Sequence, residues 1–196
     1  MVLRVLVIYY SPGGNTKRTA EALCRGLVRA EAEVTLVPLH RARGIALDDY
    51  DLVCLGCPAY HFAPPAPVRR ALDRRIAEGN AMGRVVPNAP RCAGRTAVVF
   101  VTYAGPHTGI AEATPVGDVL AQTFRHLGYG VRGVWYTVGA FHENSNPRLN
   151  LYGRLGDIRG RPNAHDLGVI EANAYGLATV LRYEKAEREK RQGRHG

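Results

Sequence analysis

The stretch LVIYYSPGGNTKRTAEAL, residues 6–23, joins two different patterns. Apolar residues run unbroken to Tyr10, the segment Ser11-Pro12-Gly13-Gly14-Asn15-Thr16 interrupts them, and helical spacing follows. An unbroken apolar run reads as a strand covered on both faces. A small-residue, hydroxyl-bearing loop between such a strand and a helix has a physical use. Free backbone N–H groups and the helix dipole make that place an anion site. Gly13 and Gly14 let the backbone approach a ligand closely, and Ser11, Asn15 and Thr16 add side-chain hydrogen bonds, with Thr16 also near the helix cap. The spacing matches neither G-x-x-x-x-G-K-S/T nor G-x-G-x-x-G. Taken alone, the loop is also compatible with a simple capped turn.

Outward from this stretch the alternation continues. Apolar, β-branched runs occupy 3–10, 33–38, 51–57, 95–103 and 131–138, and helical patterns occupy 16–30, 66–78, 115–128 and about 166–186. Strands alternating with helices imply an α/β fold: a doubly wound, five-stranded parallel sheet of order 2-1-3-4-5 with helices on both faces. In that architecture ligands bind beyond the carboxyl ends of the strands, where the strand order reverses. The loops after the first, third and fourth strands are therefore expected to carry the site. Residues 1–186 read as a single domain and 187–196 as a basic C-terminal tail.

The net charge of +9 narrows the partners less than it first suggests. Residues 182–196, RYEKAEREKRQGRHG, hold six basic and three acidic side chains, so +3 of the charge lies at the chain end. There is no zinc-finger spacing, RNP-like motif or helix-turn-helix pattern, so nucleic-acid binding is unsupported. No apolar stretch approaches the ~20 residues that span a bilayer, and VLRVLVIYY lacks the cleavage site of a signal peptide, so no membrane partner is expected. Cys24, Cys54, Cys57 and Cys92 lack the density of a secreted scaffold, which points to a cytoplasmic setting. Cys54 and Cys57 form a C-x-x-C, yet DLVCLGCPAY reads as a strand running into a turn, and no second pair exists to complete a zinc site. Buried, inert thiols are expected, and no metal. No C-x-x-x-x-x-R occurs, which excludes a low-molecular-weight phosphatase.

The other two loops are GCPAYHFAPPAPVRRAL, residues 56–72, and VTYAGPHTG, residues 101–109. The first sets Pro58, Ala59, Tyr60, His61 and Phe62 at a turn, an aromatic cluster suited to walling a flat π system. The second offers Gly105 and Gly109 for close approach, with Thr102, Tyr103, Ala104 and His107 supplying donors and stacking surface.

With these residues in view, SPGGNT resembles the phosphate loop of flavodoxins, Ser/Thr-x-Ser/Thr-Gly-Asn-Thr, which cradles the phosphate of FMN. Gly13 stands where that family usually has a hydroxyl. The turn at 58–62 resembles the G-x-P-x-aromatic segment flanking the isoalloxazine ring, and the Gly-bearing loop at 102–109 resembles the segment wrapping its pyrimidine side. GRPNAHDLGVIEANAYG, residues 160–176, resembles the last-helix signature of the NAD(P)H:quinone oxidoreductases of the tryptophan-repressor-binding-protein type. Asn163 there can cap the helix and Asp166 complement its dipole.

The resemblance implies FMN as cofactor and NADH or NADPH as electron donor. It implies an oxidoreductase passing electrons to a quinone or similar small-molecule acceptor, or alternatively a flavodoxin-type carrier serving redox enzymes. Tyr60 and His107 are the catalytic candidates, with Phe62 and Tyr103 also around the ring. Carriers are generally acidic, so a charge of +9 suits dinucleotide phosphates or an acidic redox protein better. The resemblance also implies a homo-oligomer, dimer or tetramer. Residues 139–163 carry Phe141, Leu149, Leu151, Tyr152 and Leu155 without a regular pattern, apolar side chains that need cover. Phe141, His142 and Tyr152 are further candidates near the site.

Overall fold

A computed structural model of the chain describes residues 2–141 and 147–193. Five strands form one parallel sheet: β1 (Arg4–Tyr9), β2 (Glu33–Pro38), β3 (Leu52–Pro58), β4 (Thr96–Tyr103) and β5 (Gly130–Val138). The order is β2-β1-β3-β4-β5, as expected from the alternation of strands and helices. The central strands are buried from end to end on β3 through Cys57 and on β4 through Thr102. That is what a near-continuous apolar run means once both sheet faces are covered.

Five helices accompany the sheet: α1 (Asn15–Arg29), α2 (Ala66–Ala81), α3 (Thr114–His126), α4 (Pro147–Leu151) and α5 (Ala164–Gln192). Alternate strand residues divide the core into two layers. Val5, Val7, Cys54, Val98 and Phe100 pack with Ala20, Leu23 and Leu27 of α1 and Ile170, Ala174 and Ala178 of α5. Leu6, Val53, Leu55, Cys57, Val99 and Val101 pack with Val68 and Leu72 of α2 and Val116, Leu120 and Phe124 of α3.

Two details depart from the sequence expectations. α4 falls in the stretch read as irregular, because a five-residue helix leaves too short a period to register. α5 continues as helix to Gln192, past the residue 186 where the helical pattern fades into the basic end. Its distal half is held from outside: Arg182 donates to the Ala30 carbonyl at 2.8 Å, and Lys185 bridges to Asp51 at 2.8 Å and to the Val2 carbonyl at 3.2 Å. Between β2 and β3, where the sequence shows no helical pattern, the chain crosses in two short 3-10 turns, Leu39–Arg41 and Leu47–Asp49.

Cys54 and Cys57 both lie in β3 and are buried, on opposite faces of the sheet. Their thiols therefore point into different layers and have no common partner to hold. Burial pushes the Cys57 thiol up to about 12 and the Cys54 thiol well above its ordinary value, so both stay protonated. No helix among the described residues is long and apolar enough to cross a membrane.

Candidate functional site

At the carboxyl end of the sheet an open cleft of about 180 Å³ lies where β1, β3, β4 and β5 release their loops. The β1 loop contributes Ser11, Pro12, Gly13, Asn15 and Thr16; the β3 loop contributes Pro58, Ala59 and Tyr60; the β4 loop contributes Thr102, Tyr103 and Ala104. Ten of the residues expected from the sequence are thus brought to one surface. The β5 loop adds Gly139, Ala140 and Phe141. Of these only Phe141 is a sequence candidate. His142, another, lies outside the described residues.

α1 starts at Asn15, with Gly14 before it in the left-handed region at φ +83°. The N-cap residue Gly14 has no side chain to cap this end, and Thr16 does not fill the capping role expected for it. The first intrahelical bond is Arg18 N–H to the Gly14 carbonyl at 3.0 Å, and Lys17 N–H goes to Ser11 Oγ, also at 3.0 Å. Ahead of these, the N–H groups of Asn15 and Thr16 find no acceptor among the described residues. A first turn with two N–H groups left free beside a cleft suits an anion.

The side chains of Asn15 and Thr16 brace this turn from behind. Asn15 Nδ2 donates to the Ala140 carbonyl at 2.8 Å, and the buried hydroxyls of Thr16 and Thr102 lie 2.7 Å apart. The helix start is thereby fastened to the β5 loop on one side and to β4 on the other. Gly139 makes the first bond possible: a Cβ there would sit 2.6 Å from Asn15 Nδ2.

The β3 loop is a tight hairpin. Tyr60 and Ala63 exchange backbone hydrogen bonds at 3.1 and 3.0 Å, with only His61 and Phe62 between them. Both take positive φ, 49° and 62°, which a bulky side chain adopts only at a cost of about 1–3 kcal/mol. The turn leaves Tyr60 46% and Phe62 58% exposed at the cleft rim, although only Tyr60 lines the cleft itself. Ala59 N–H donates to the Thr102 carbonyl at 2.9 Å, so the β3 and β4 loops move as one.

Tyr103, half-buried, packs edge-on against Tyr136 with ring centres 6.5 Å apart. Burial pushes both site phenols above their ordinary value. Tyr10 and Cys57 add to the effect at Tyr60, while the Arg161 charge partly offsets it at Tyr103. Both hydroxyls therefore remain donors at neutral pH.

Beyond Ala104 the chain turns away from the cleft. Glu112 Oε1 accepts the N–H groups of His107 and Thr108, each at 2.7 Å, and the Pro106 carbonyl accepts Arg154 N–H at 2.7 Å. Gly105 and Gly109 are buried inside this folded loop, and His107 is exposed on its outside. None of these three lines the cleft; nor do Gly14, His61 and Phe62.

Asn163 caps α5 as expected, its side chain accepting Asp166 N–H at 3.1 Å while Asp166 accepts Asn163 N–H at 2.8 Å. Asp166 also holds the Arg161 guanidinium. Burial works against its ionisation, yet the Arg161 and Asn163 hydrogen bonds outweigh this and keep the carboxyl below the usual carboxylate range. The Arg161 carbonyl in turn accepts Ala140 N–H at 3.0 Å, so the start of α5 steadies the β5 loop.

Residues 7–104, from β1 through the loop after β4, match the family model of flavodoxin. The chain belongs to the flavodoxin family. No curated protein matches the sequence significantly. Among solved structures, a flavodoxin from the domain Archaea superposes at a TM-score of 0.60, with 16% identity over 92% of this chain and 99% of that one. A WrbA-like flavodoxin from Agrobacterium tumefaciens gives 0.60 and 18% over 92% and 98%. A rubredoxin oxygen:oxidoreductase from Desulfovibrio gigas gives 0.60 and 15%, over 93% of this chain but 37% of that one. At such identities the likeness is one of fold.

Membership of the flavodoxin family implies FMN, and the residues present fit it. The uncapped start of α1 with Ser11 beside it suits a phosphate, and Tyr60 and Tyr103 offer aromatic surface at the same cleft. Gly13 supplies only backbone where the family usually has a hydroxyl.

Proposed function

We propose that this flavodoxin-family protein is an FMN-dependent oxidoreductase that takes electrons from NADH or NADPH and passes them to a quinone or similar acceptor. The observation that carries the reading is the cleft itself, with an uncapped helix start and two tyrosines on one open surface. Bound FMN supplies the hydride and electron-transfer chemistry. Ser11 and the backbone of Gly13–Thr16 hold its phosphate, while Pro58, Ala59, Tyr60, Thr102, Tyr103 and Ala104 flank its ring. The protonated phenols of Tyr60 and Tyr103 donate hydrogen bonds and keep water from the ring edge. His107 and Phe62 stand outside the cleft, so no proton is assigned to His107. The net charge of +9 favours an anionic donor over service as an acidic-type carrier. Free thiols at all four cysteines suit a cytoplasmic setting.

A visible spectrum of the purified protein, followed by anaerobic NADH and NADPH, tests this. Bleaching of a flavin band by either nucleotide is the expected result. A band that only dithionite bleaches would instead assign an electron carrier, and failure to bind added FMN would remove both.

We infer that the protein is a homo-oligomer. Phe141, Leu149 and Leu151 are partly covered by their own domain, but Tyr152 stays 78% exposed and Leu155 is exposed beside it. Light scattering after size exclusion should give a dimer or tetramer at micromolar concentration, and a clean monomer with FMN bound would refute it.

A further inference from the structure

Next to the flavin cleft, on the β2 side of the sheet, lies a second depression of about 270 Å³ whose walls are basic. Tyr10, His40, Arg43, Pro67, Arg70 and Arg74 are among the residues that line it. Its place follows from the topology. Pro38 at the end of β2 pairs in register with Tyr9 at the end of β1, so His40 and Arg43 leave the sheet at the same carboxyl edge as the cleft. Pro67 stands in the first turn of α2, so α2 begins at that edge too. Tyr10 is the residue before Ser11 and separates the two hollows.

The hollow exists because no α-helix covers the β2–β3 connection. Residues 39–43 form a short turn instead, and Ala42 at its end is buried in the core. Arg75 reaches from the inner side of α2 to the Ala42 carbonyl at 2.9 Å and to Glu78 at 3.0 Å. The turn bearing His40 and Arg43 is thus fixed against α2 rather than left to drift.

Several arginines elsewhere meet carboxylates: Arg25 and Arg29 with Glu171, Arg84 and Arg95 with Asp48, Arg161 with Asp166. Among the described residues, Arg43, Arg70 and Arg74 meet none. Asp73, also on α2, forms no ion pair among the described residues and lines a neighbouring depression that Arg70 shares. Like charges gathered in a concave surface repel one another, and a bound dianion relieves that repulsion. Guanidinium groups also match phosphate oxygens in geometry, which a neutral hydroxyl cannot exploit.

We propose that Arg43, Arg70 and Arg74 form the subsite for the 2′-phosphate of NADPH, so that the protein selects NADPH over NADH. This rests on the donor reading given under Proposed function. The probe that separates the two is adenosine 2′,5′-bisphosphate, which carries the phosphate but no nicotinamide. Calorimetric titration of the FMN-loaded protein should show it binding, and Arg70→Ala/Arg74→Ala should raise its Kd about tenfold to a hundredfold. In anaerobic bleaching, the preference for NADPH over NADH should fall by the same factor. A protein that does not bind the bisphosphate, or a variant that binds it equally well, overturns the subsite. If the bisphosphate binds through these arginines while neither nucleotide bleaches the flavin, the subsite stands and the donor reading falls. If instead an acidic ferredoxin binds through them and the bisphosphate does not, the patch is a protein-docking surface and the proposal is wrong.

Discussion

Phe100→Ala should destabilise the apoprotein by about 3–5 kcal/mol, the largest single effect expected in this chain. Phe100 is fully buried at the centre of β4 and lies in the layer covered by α1 and α5. Its register partner across β3 is Gly56. A Cβ on Gly56 would lie 2.0 Å from the Phe100 ring, so the ring occupies the space where a neighbouring side chain would stand. Gly56→Ala should therefore cost about 1–3 kcal/mol by overpacking. In the double variant the added methyl enters the vacated space, and the total should fall short of the sum by at least about 1 kcal/mol. Urea unfolding of the FMN-free protein measures all three, since bound FMN would add its own stabilisation. Strict additivity would show that Gly56 and Phe100 do not share a space.

Asn15→Ala/Thr16→Ala should weaken FMN binding by about 1–3 kcal/mol, a loss of roughly fivefold to 150-fold in affinity. Part of the loss is indirect. Without Asn15 Nδ2 the Ala140 carbonyl is released, and without the Thr16 hydroxyl that of Thr102 loses its partner. The start of α1 then no longer holds its N–H groups in a fixed direction. FMN fluorescence quenching gives the affinity, and thermal unfolding of the apoprotein checks that the fold survives. Equal affinity in variant and wild type would remove the phosphate from Ser11–Thr16.

The sheet was legible because each strand carries its own signal. The runs at 33–38 and 95–103 need no partner to be recognised, and their alternation with helices suggests the strand order. The lining of the cleft was legible where its residues stand next to a strand end: Ser11, Gly13, Asn15 and Thr16, Pro58 to Tyr60, and Thr102 to Ala104. It was illegible where side chains from a distance decide the path. Glu112 turns His107 outward by taking its N–H, and nothing in PHTG announces that. Gly139 and Ala140 were missed because their place depends on Asn15, far earlier in the chain. The available signal was modest: two small residues directly after Val138, at the carboxyl end of a strand beside β4.

The partnership of α1 and α5 also bears on how the protein is made. Gly26 packs so tightly on α5 that a Cβ there would lie 2.1 Å from the Glu171 carbonyl oxygen, and Arg25 meets Glu171 across 146 residues of chain. Chains are synthesised from the N-terminus, and partly built domains expose apolar surface while they wait. The layer formed by α2 and α3 can close once β4 and α3 have emerged. The opposite face, with Val5, Val7, Val98 and Phe100, keeps half its cover for α5, which is made after all five strands. During translation this face is the surface a chaperone would meet. A message truncated before α5 would yield a chain with its β1–α1 loop in place and one uncovered side of its sheet.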